Sequence, residues 1–124
     1  MDPQIQHRVD QLLLEQGEYL PLEFLLAEGR LLYSDYESWR NGELEILDER
    51  LFGDAAQVRN DLSQAAAYAR ALGLTVNALD YSPLSYQPGN GGRPLSFSRE
   101  AILDDLFHKG YCKDQGEPQL DLFM

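Results

Sequence analysis

Apolar residues recur at helical spacing near the start of the chain and predict an amphipathic helix there. The apolar face of this helix consists of Ile5, Val9, Leu12 and Leu13. Asp2 followed by Pro3 is typical of a helix start, because aspartate caps free N–H groups and proline fits the first turn. Gly17 is typical of a helix end, so the first helix is expected to lie between these signals.

Two shorter helices are expected next, with Gly29 between them. The first begins at Pro21, since proline suits the first turn of a helix. The second begins at Ser34, because Ser34 and Glu37 have the spacing of a capping box. An Asn-Gly pair at residues 41–42 ends it.

The clearest helix is predicted to begin after Asp54 and to end at Gly73. Its inner stripe consists of Val58, Leu62, Ala65, Ala66, Ala69 and Leu72. The alanines in this stripe allow another helix to approach closely. Leu74 lies where a Schellman motif places an apolar residue, which supports the predicted end of the helix.

The stretches around this helix are expected to be less regular. Residues 43–53 alternate like a strand and then suit one helical turn, so a short extended piece leading into that turn is predicted. Residues 75–81 are expected to be extended, and residues 82–96 to form a long loop around the sequence QPGNGGRP.

A last helix is predicted after Ser98 and before Gly110. Phe97 and Ile102 occupy the two ends of a hydrophobic staple. The residues expected to face inward from this helix are Ile102, Leu106 and Phe107. The elements together predict a mostly α fold, a small helical domain of four or five helices with a short extended segment.

The length and composition fit one such domain. The chain has 124 residues, of which 44% are hydrophobic and 25% are charged, as in ordinary globular proteins. Residues 1–112 are assigned to the acidic helical domain, and residues 113–124 to a flexible C-terminal tail.

The net charge of −11 is unevenly distributed. Residues 1–54 carry 13 acids and 4 arginines, a balance of −9, whereas residues 55–124 carry 8 acids and 6 bases, a balance of −2. Such a surface repels phosphate, so direct nucleic-acid binding is not expected. The simplest interpretation is a solvated acidic face that keeps the protein soluble.

The sequence favours a cytoplasmic protein. Cys112 is the one cysteine, so a disulfide within the chain is impossible and a reducing compartment is the natural interpretation. The N-terminal residues have neither the basic nor the apolar region of a signal peptide. No apolar run has the length of a membrane span, and no membrane association is expected.

A helix-turn-helix is the first candidate for residues 21–41, because two short helices flank a glycine there. The second of these helices, SDYESWRNGE, carries three acids and one arginine and would repel a phosphate backbone. The aromatic residues of this stretch are therefore interpreted as core residues; they are Tyr33, Tyr36 and Trp39.

No catalytic, metal or cofactor site is recognisable. The glycine-rich residues 88–94 lack the Gly-Lys-Ser or Gly-Lys-Thr of a phosphate loop. His7 and His108 have no further ligand at metal-binding spacing, and the aspartates at 104–105 suit a solvated helix face. Cys112 is expected just past a helix C-terminus, where a thiolate is not stabilised. Enzymatic activity is therefore not expected.

The tail carries the most informative motif. Residues 113–118 contain no apolar side chain and cannot bury enough surface to order themselves. Residues 119–123 then read QLDLF. This pentapeptide resembles, letter for letter, the motif Gln-Leu-Ser/Asp-Leu-Phe by which bacterial proteins bind the β sliding clamp, the β subunit of DNA polymerase III. The resemblance covers 5 of 124 residues.

The resemblance implies a role for each residue of the pentapeptide. Gln119 is the expected polar anchor at the rim of a clamp pocket, and Asp121 is the tolerant middle position. The side chains expected to fill the apolar cleft of the clamp are Leu120, Leu122 and Phe123. In clamp-binding proteins this peptide often stands at a mobile C-terminal end.

The function predicted from the motif is that of a replication or repair accessory protein, a non-catalytic adaptor or regulator recruited by the clamp. One alternative is an inhibitor that occupies the clamp pocket and displaces polymerases. Another is a small acidic interaction module unrelated to the clamp, whose tail packs on its own domain. An enzyme acting on DNA would need a catalytic cluster or a basic groove, and the sequence indicates neither.

Overall fold

The computed structural model describes residues 2–81 and 95–113, and this part of the chain forms a small, mostly α-helical domain, as predicted. Its five α-helices are α1 (Pro3–Gln16), α2 (Pro21–Ala27), α3 (Tyr33–Arg40), α4 (Ala55–Ala71) and α5 (Ala101–Phe107), with a 3-10 turn at Leu47–Arg50. Its strands are β1 (Glu18–Tyr19), β2 (Thr75–Ala78) and β3 (Lys109–Cys112). The predictions for residues 82–94 and for the tail beyond Lys113 fall outside the described ranges.

The two long helices begin and end where the sequence predicts. Asp2 caps α1 and Asp54 caps α4, and each side chain accepts a hydrogen bond from a backbone N–H group of the first turn. α1 ends at Gly17, whose φ of 80° is a conformation that side chains disfavour. α4 ends in a Schellman motif, in which the N–H group of Leu74 donates to the carbonyl of Ala69.

Two predicted details at helix ends are wrong. α3 begins one residue before Ser34, and its N-cap is Leu32, which makes no side-chain cap hydrogen bond. The predicted capping box is therefore absent from α3, which is held instead by the burial of Trp39. Leu72, predicted in the inner stripe of α4, is the C-cap residue and is 45% exposed.

The prediction for the last helix holds for Phe107, which is buried, and for Leu106, which packs against the core, but it is wrong for Ile102, which is 74% exposed. The carboxylate of Asp104 accepts hydrogen bonds from the backbone N–H groups of Phe97 at 2.6 Å and Ser98 at 3.2 Å. Two residues along a helix rotate the side chain by about 200°. Holding Asp104 against the preceding segment therefore turns Ile102 away from it, and Leu103 is buried instead.

The sequence predicts one of the three strands. The expected extended segment contains β2, but β1 and β3 were not expected. β3 lies between the other two and is antiparallel to both, with Tyr111 opposite Tyr19 and Val76. Gly110, expected to end the last helix, lies inside β3 instead.

The core is centred on Trp39, which is completely buried. The rings that contact it are those of Tyr36, Tyr81 and Phe107. Its indole Nε1 donates a hydrogen bond of 2.9 Å to the carbonyl of Ser96, so the ring also holds the segment before α5. The core prediction thus holds for Trp39, whereas Tyr36 is half-buried and Tyr33 is 58% exposed.

Tyr19 contributes a buried hydroxyl that has no hydrogen-bond partner within residues 2–81 and 95–113. We expect Tyr19→Phe to raise the free energy of unfolding by about 1 kcal/mol, because the hydroxyl loses its bonds to water on folding and gains none. Urea denaturation measures this change. Tyr111→Phe is the matched control and should lower stability, since the Tyr111 hydroxyl accepts a bond of 3.3 Å from Arg70. A destabilised Tyr19→Phe protein would contradict the expectation.

The same residue gives an expectation at alkaline pH. Burial, and to a lesser degree the neighbouring Tyr111, raises the pKa of Tyr19. As the pH rises above about 10, the unfolded chain releases this proton while the folded chain retains it. The stability of the natural protein should therefore fall relative to that of Tyr19→Phe above that pH.

Candidate partner-binding site

The docking residues predicted from the sequence lie outside the described part of the chain. They are Gln119, Leu120, Asp121, Leu122 and Phe123. The structure describes the chain as far as Lys113. β3 ends at Cys112, and Lys113 is the last residue before the undescribed segment.

β3 is the central strand of the sheet and is hydrogen-bonded on both sides, to β1 and to β2. At Gly110 a Cβ atom would come within 2.8 Å of Leu20 Cδ2 and within 3.3 Å of Leu79 Cδ2. A larger residue there would have to displace the ends of these two leucine side chains. Tyr111 is buried as well, and its ring lies tilted beside that of Tyr19, with 6.2 Å between the ring centroids.

A cleft of about 470 Å³ lies where the chain leaves β3. Its side chains are mostly polar, and they include Gln16, Glu18, Thr75, Asn77, Cys112 and Lys113. The Nδ2 group of Asn77 donates to Cys112 Sγ at 3.1 Å.

The spacing between the domain and the pentapeptide is short. Gln119 is six residues beyond Lys113. A fully extended chain spans at most about 3.5 Å per residue, so Gln119 lies within about 20 Å of the end of β3. A partner that holds the pentapeptide would therefore have the domain beside it.

The structure describes two further candidates from the sequence, the helix-turn-helix stretch and Cys112. α2 and α3 are two short helices, as expected. Trp39 of the would-be recognition helix is buried, and the same helix carries the acidic residues Asp35 and Glu37, which would repel a phosphate backbone. Cys112 is in a strand rather than just past a helix, which corrects its predicted setting. The glycine-rich residues 88–94 lie outside the described ranges.

Two of the potential metal ligands, His108 and Asp105, are engaged in other contacts. The ring nitrogens of His108 lie 2.7 Å from the carbonyl oxygen of Asp104 and 3.0 Å from that of Leu95. Asp105 accepts a bond of 2.9 Å from Lys109. Within residues 2–81 and 95–113, no group of three or more acidic, histidine or cysteine side chains is placed to hold a metal ion.

One surface was missed by the sequence analysis. All four residues of β2 are exposed, although the strand pairs with β3. The local signal was present, because residues 71–79 contain neither a charged residue nor proline. That signal predicts an extended segment but does not say that the segment lies at the edge of a sheet.

Comparison with known proteins gives no family for this chain. No protein-family model matches the chain, and no curated protein or solved structure matches it. Among the helices that the structure describes, none combines the length and the apolar character needed to cross a membrane.

Proposed function

We propose that this protein is an accessory factor of bacterial DNA replication or repair that docks on the β sliding clamp through residues 119–123. The observation that carries the proposal is the sequence QLDLF, which matches the clamp-binding pentapeptide at every position. Gln119 binds the rim of the clamp pocket, and the apolar side chains fill its cleft. The proposal places the protein in the cytoplasm, where the clamp encircles DNA.

The surroundings of the pentapeptide support this role. The linker at residues 113–118 is polar, so it has no apolar anchor of its own on the domain. The cleft beside Lys113 is also lined mostly by polar side chains. A polar linker followed by an apolar pentapeptide is typical of a motif that docks in a pocket on another molecule.

The charge of the chain separates the roles of tail and domain. A net charge of −11 repels the DNA backbone, so the domain does not bring itself to DNA. The tail supplies that localisation by binding the protein ring rather than the nucleic acid. The domain then acts as a non-catalytic adaptor or regulator held within about 20 Å of the clamp.

The expected affinity is moderate. Burial of two leucines and one phenylalanine contributes roughly 5–8 kcal/mol, and a hydrogen-bonded glutamine adds about 1 kcal/mol. Ordering of the peptide opposes part of this gain. The balance corresponds to a dissociation constant near the micromolar range, about −8 kcal/mol, which suits a reversible tether.

A labelled peptide of residues 113–124 tests the proposal. Its fluorescence anisotropy should rise on addition of purified β clamp, with a midpoint around micromolar concentration. The matched control is the peptide with Asp121→Ser, which should bind equally well because the third position is tolerant. A flat titration for both peptides would reject clamp docking.

A further inference from the structure

The two ring nitrogens of His108 both face backbone carbonyl oxygens. Nδ1 lies 2.7 Å from the carbonyl oxygen of Asp104, and Nε2 lies 3.0 Å from that of Leu95. Of the His108 side chain, 17% is exposed, so water has little access to the ring. A carbonyl oxygen only accepts hydrogen bonds, and each ring nitrogen therefore needs its own proton to bond at this site.

Only the charged form of the ring carries both protons. A neutral imidazole has one N–H donor and one nitrogen with a lone pair. A lone pair that faces a carbonyl oxygen is repelled by it and forms no bond. Histidine is the side chain that changes between these two forms between about pH 5 and 8, so the pair of contacts at His108 is complete only toward acid pH.

The contact with Leu95 is the one that the neutral ring loses. The Nδ1 contact is the shorter of the two, and it lies within the last turn of α5. The carboxylate of Asp104 lies 3.7 Å from Nδ1, where its negative charge favours a proton on that nitrogen. The neutral ring therefore keeps its proton on Nδ1 and turns the lone pair of Nε2 toward the carbonyl of Leu95.

The other titratable groups that the described elements place around this ring do not respond in the same range. Asp105 and Lys109 are bonded to each other at 2.9 Å, and carboxylates, lysines and arginines ordinarily titrate outside about pH 5 to 8. The ring of Tyr81 lies 5.8 Å from that of His108, between centroids, and burial raises the pKa of Tyr81. The guanidinium of Arg40 lies 5.5 Å from the centroid of Tyr81. The pH response of this site therefore belongs to His108.

Leu95 stands where several segments of the domain meet. Its N–H group donates a bond of 2.8 Å to the carbonyl of Tyr81. The carbonyl of the next residue, Ser96, accepts the bond of 2.9 Å from the indole of Trp39. A bond that is made or lost at the carbonyl of Leu95 therefore acts on a segment that is also fixed to the centre of the core.

We propose that His108 is a pH-sensitive link between α5 and the segment that begins at Leu95. The charged ring donates to the carbonyls of Asp104 and Leu95 together. When Nε2 releases its proton to water, the bond to Leu95 is lost and the bond to Asp104 remains. This device is separate from the pentapeptide and does not depend on clamp binding. It gives the domain a local response to acidification.

Nuclear magnetic resonance of the intact ¹⁵N-labelled chain, titrated between about pH 5 and 8, tests the proposal. His7 and His108 are the two histidines of the chain, and exposed His7 is the internal reference. Both ring nitrogens of His108 should carry protons at the acid end, and Nδ1 alone at the alkaline end. The backbone amide signal of Ser96 should shift in step with the ring of His108, because this amide shares its peptide unit with the carbonyl of Leu95.

His7→Gln is the matched control and should leave the pH-dependent shift of the Ser96 signal unchanged. His108→Gln should abolish that shift, because glutamine does not titrate. If His108→Gln does not fold, the ring spectrum of the natural protein decides on its own. A neutral His108 ring that carries its proton on Nε2 would overturn the proposal. So would a Ser96 signal that does not respond to pH, or one whose response is abolished by His7→Gln.

Discussion

Replacing Leu122 and Phe123 together with alanine is expected to weaken binding of the intact protein to the β clamp by about 100-fold or more. Burial of each side chain is worth roughly 1.5–3 kcal/mol, so the pair contributes at least about 3 kcal/mol. Each 1.4 kcal/mol corresponds to about a factor of ten in the dissociation constant. Surface plasmon resonance with immobilised clamp measures both affinities under the same conditions.

The control for this pair of substitutions is Asp121→Ser in the intact protein, which should leave the affinity unchanged. Both variants should melt at the temperature of the natural protein, because the altered positions lie beyond β3 and the core residues described here. An equal affinity for the double variant and the natural protein would remove the pentapeptide from the binding reaction.

Trp39→Ala is expected to have the largest effect on stability, a loss of about 3–5 kcal/mol. The indole is completely buried among three aromatic rings, and truncation leaves a cavity at the centre of the core. The substitution also removes the hydrogen bond from Nε1 to the carbonyl of Ser96. Urea unfolding followed by circular dichroism gives the change in free energy.

Trp39→Phe separates the contribution of ring burial from that of the indole hydrogen bond. Phenylalanine keeps much of the ring volume but not the indole donor, so we expect a smaller loss of roughly 1–2 kcal/mol. Clamp affinity, measured on variants that remain folded, should not change, because Trp39 lies in the core and the docking residues lie in the tail. A loss below about 1 kcal/mol for Trp39→Ala would show that this ring is not the centre of the core.

Helices with strong local signals could be predicted from the sequence. α1 and α4 carry an aspartate cap, a regular apolar stripe and a glycine end, and each of these signals acts within a few residues. α5 has weaker signals, and its rotation is set by the carboxylate of Asp104, which holds the N–H groups of Phe97 and Ser98. The apolar pattern alone therefore placed Ile102 on the wrong side.

The sheet could not be predicted in the same way. β1 has two residues and pairs with β3, which lies near the other end of the described chain. No local periodicity marks a two-residue strand, and its pairing depends on the way in which the helices bring Tyr19 and Tyr111 together. The exposure of the β2 edge follows from that arrangement, so it was also missing from the sequence analysis.

The candidate docking peptide, unlike the sheet, can be recognised from the sequence alone. A linear motif is contiguous in the chain, so the pentapeptide at residues 119–123 is recognisable without any fold. The structure adds the setting, which is the paired strand β3, the polar cleft beside Lys113 and the short reach of the linker.

Isothermal titration of purified β clamp into the intact chain, and into the chain truncated after Lys113, shows whether the pentapeptide is the docking element. We expect saturable binding near micromolar affinity for the intact chain, and no binding for the truncated chain at an unchanged melting temperature. Equal heats for the two chains, or no heat for the intact chain, would contradict it.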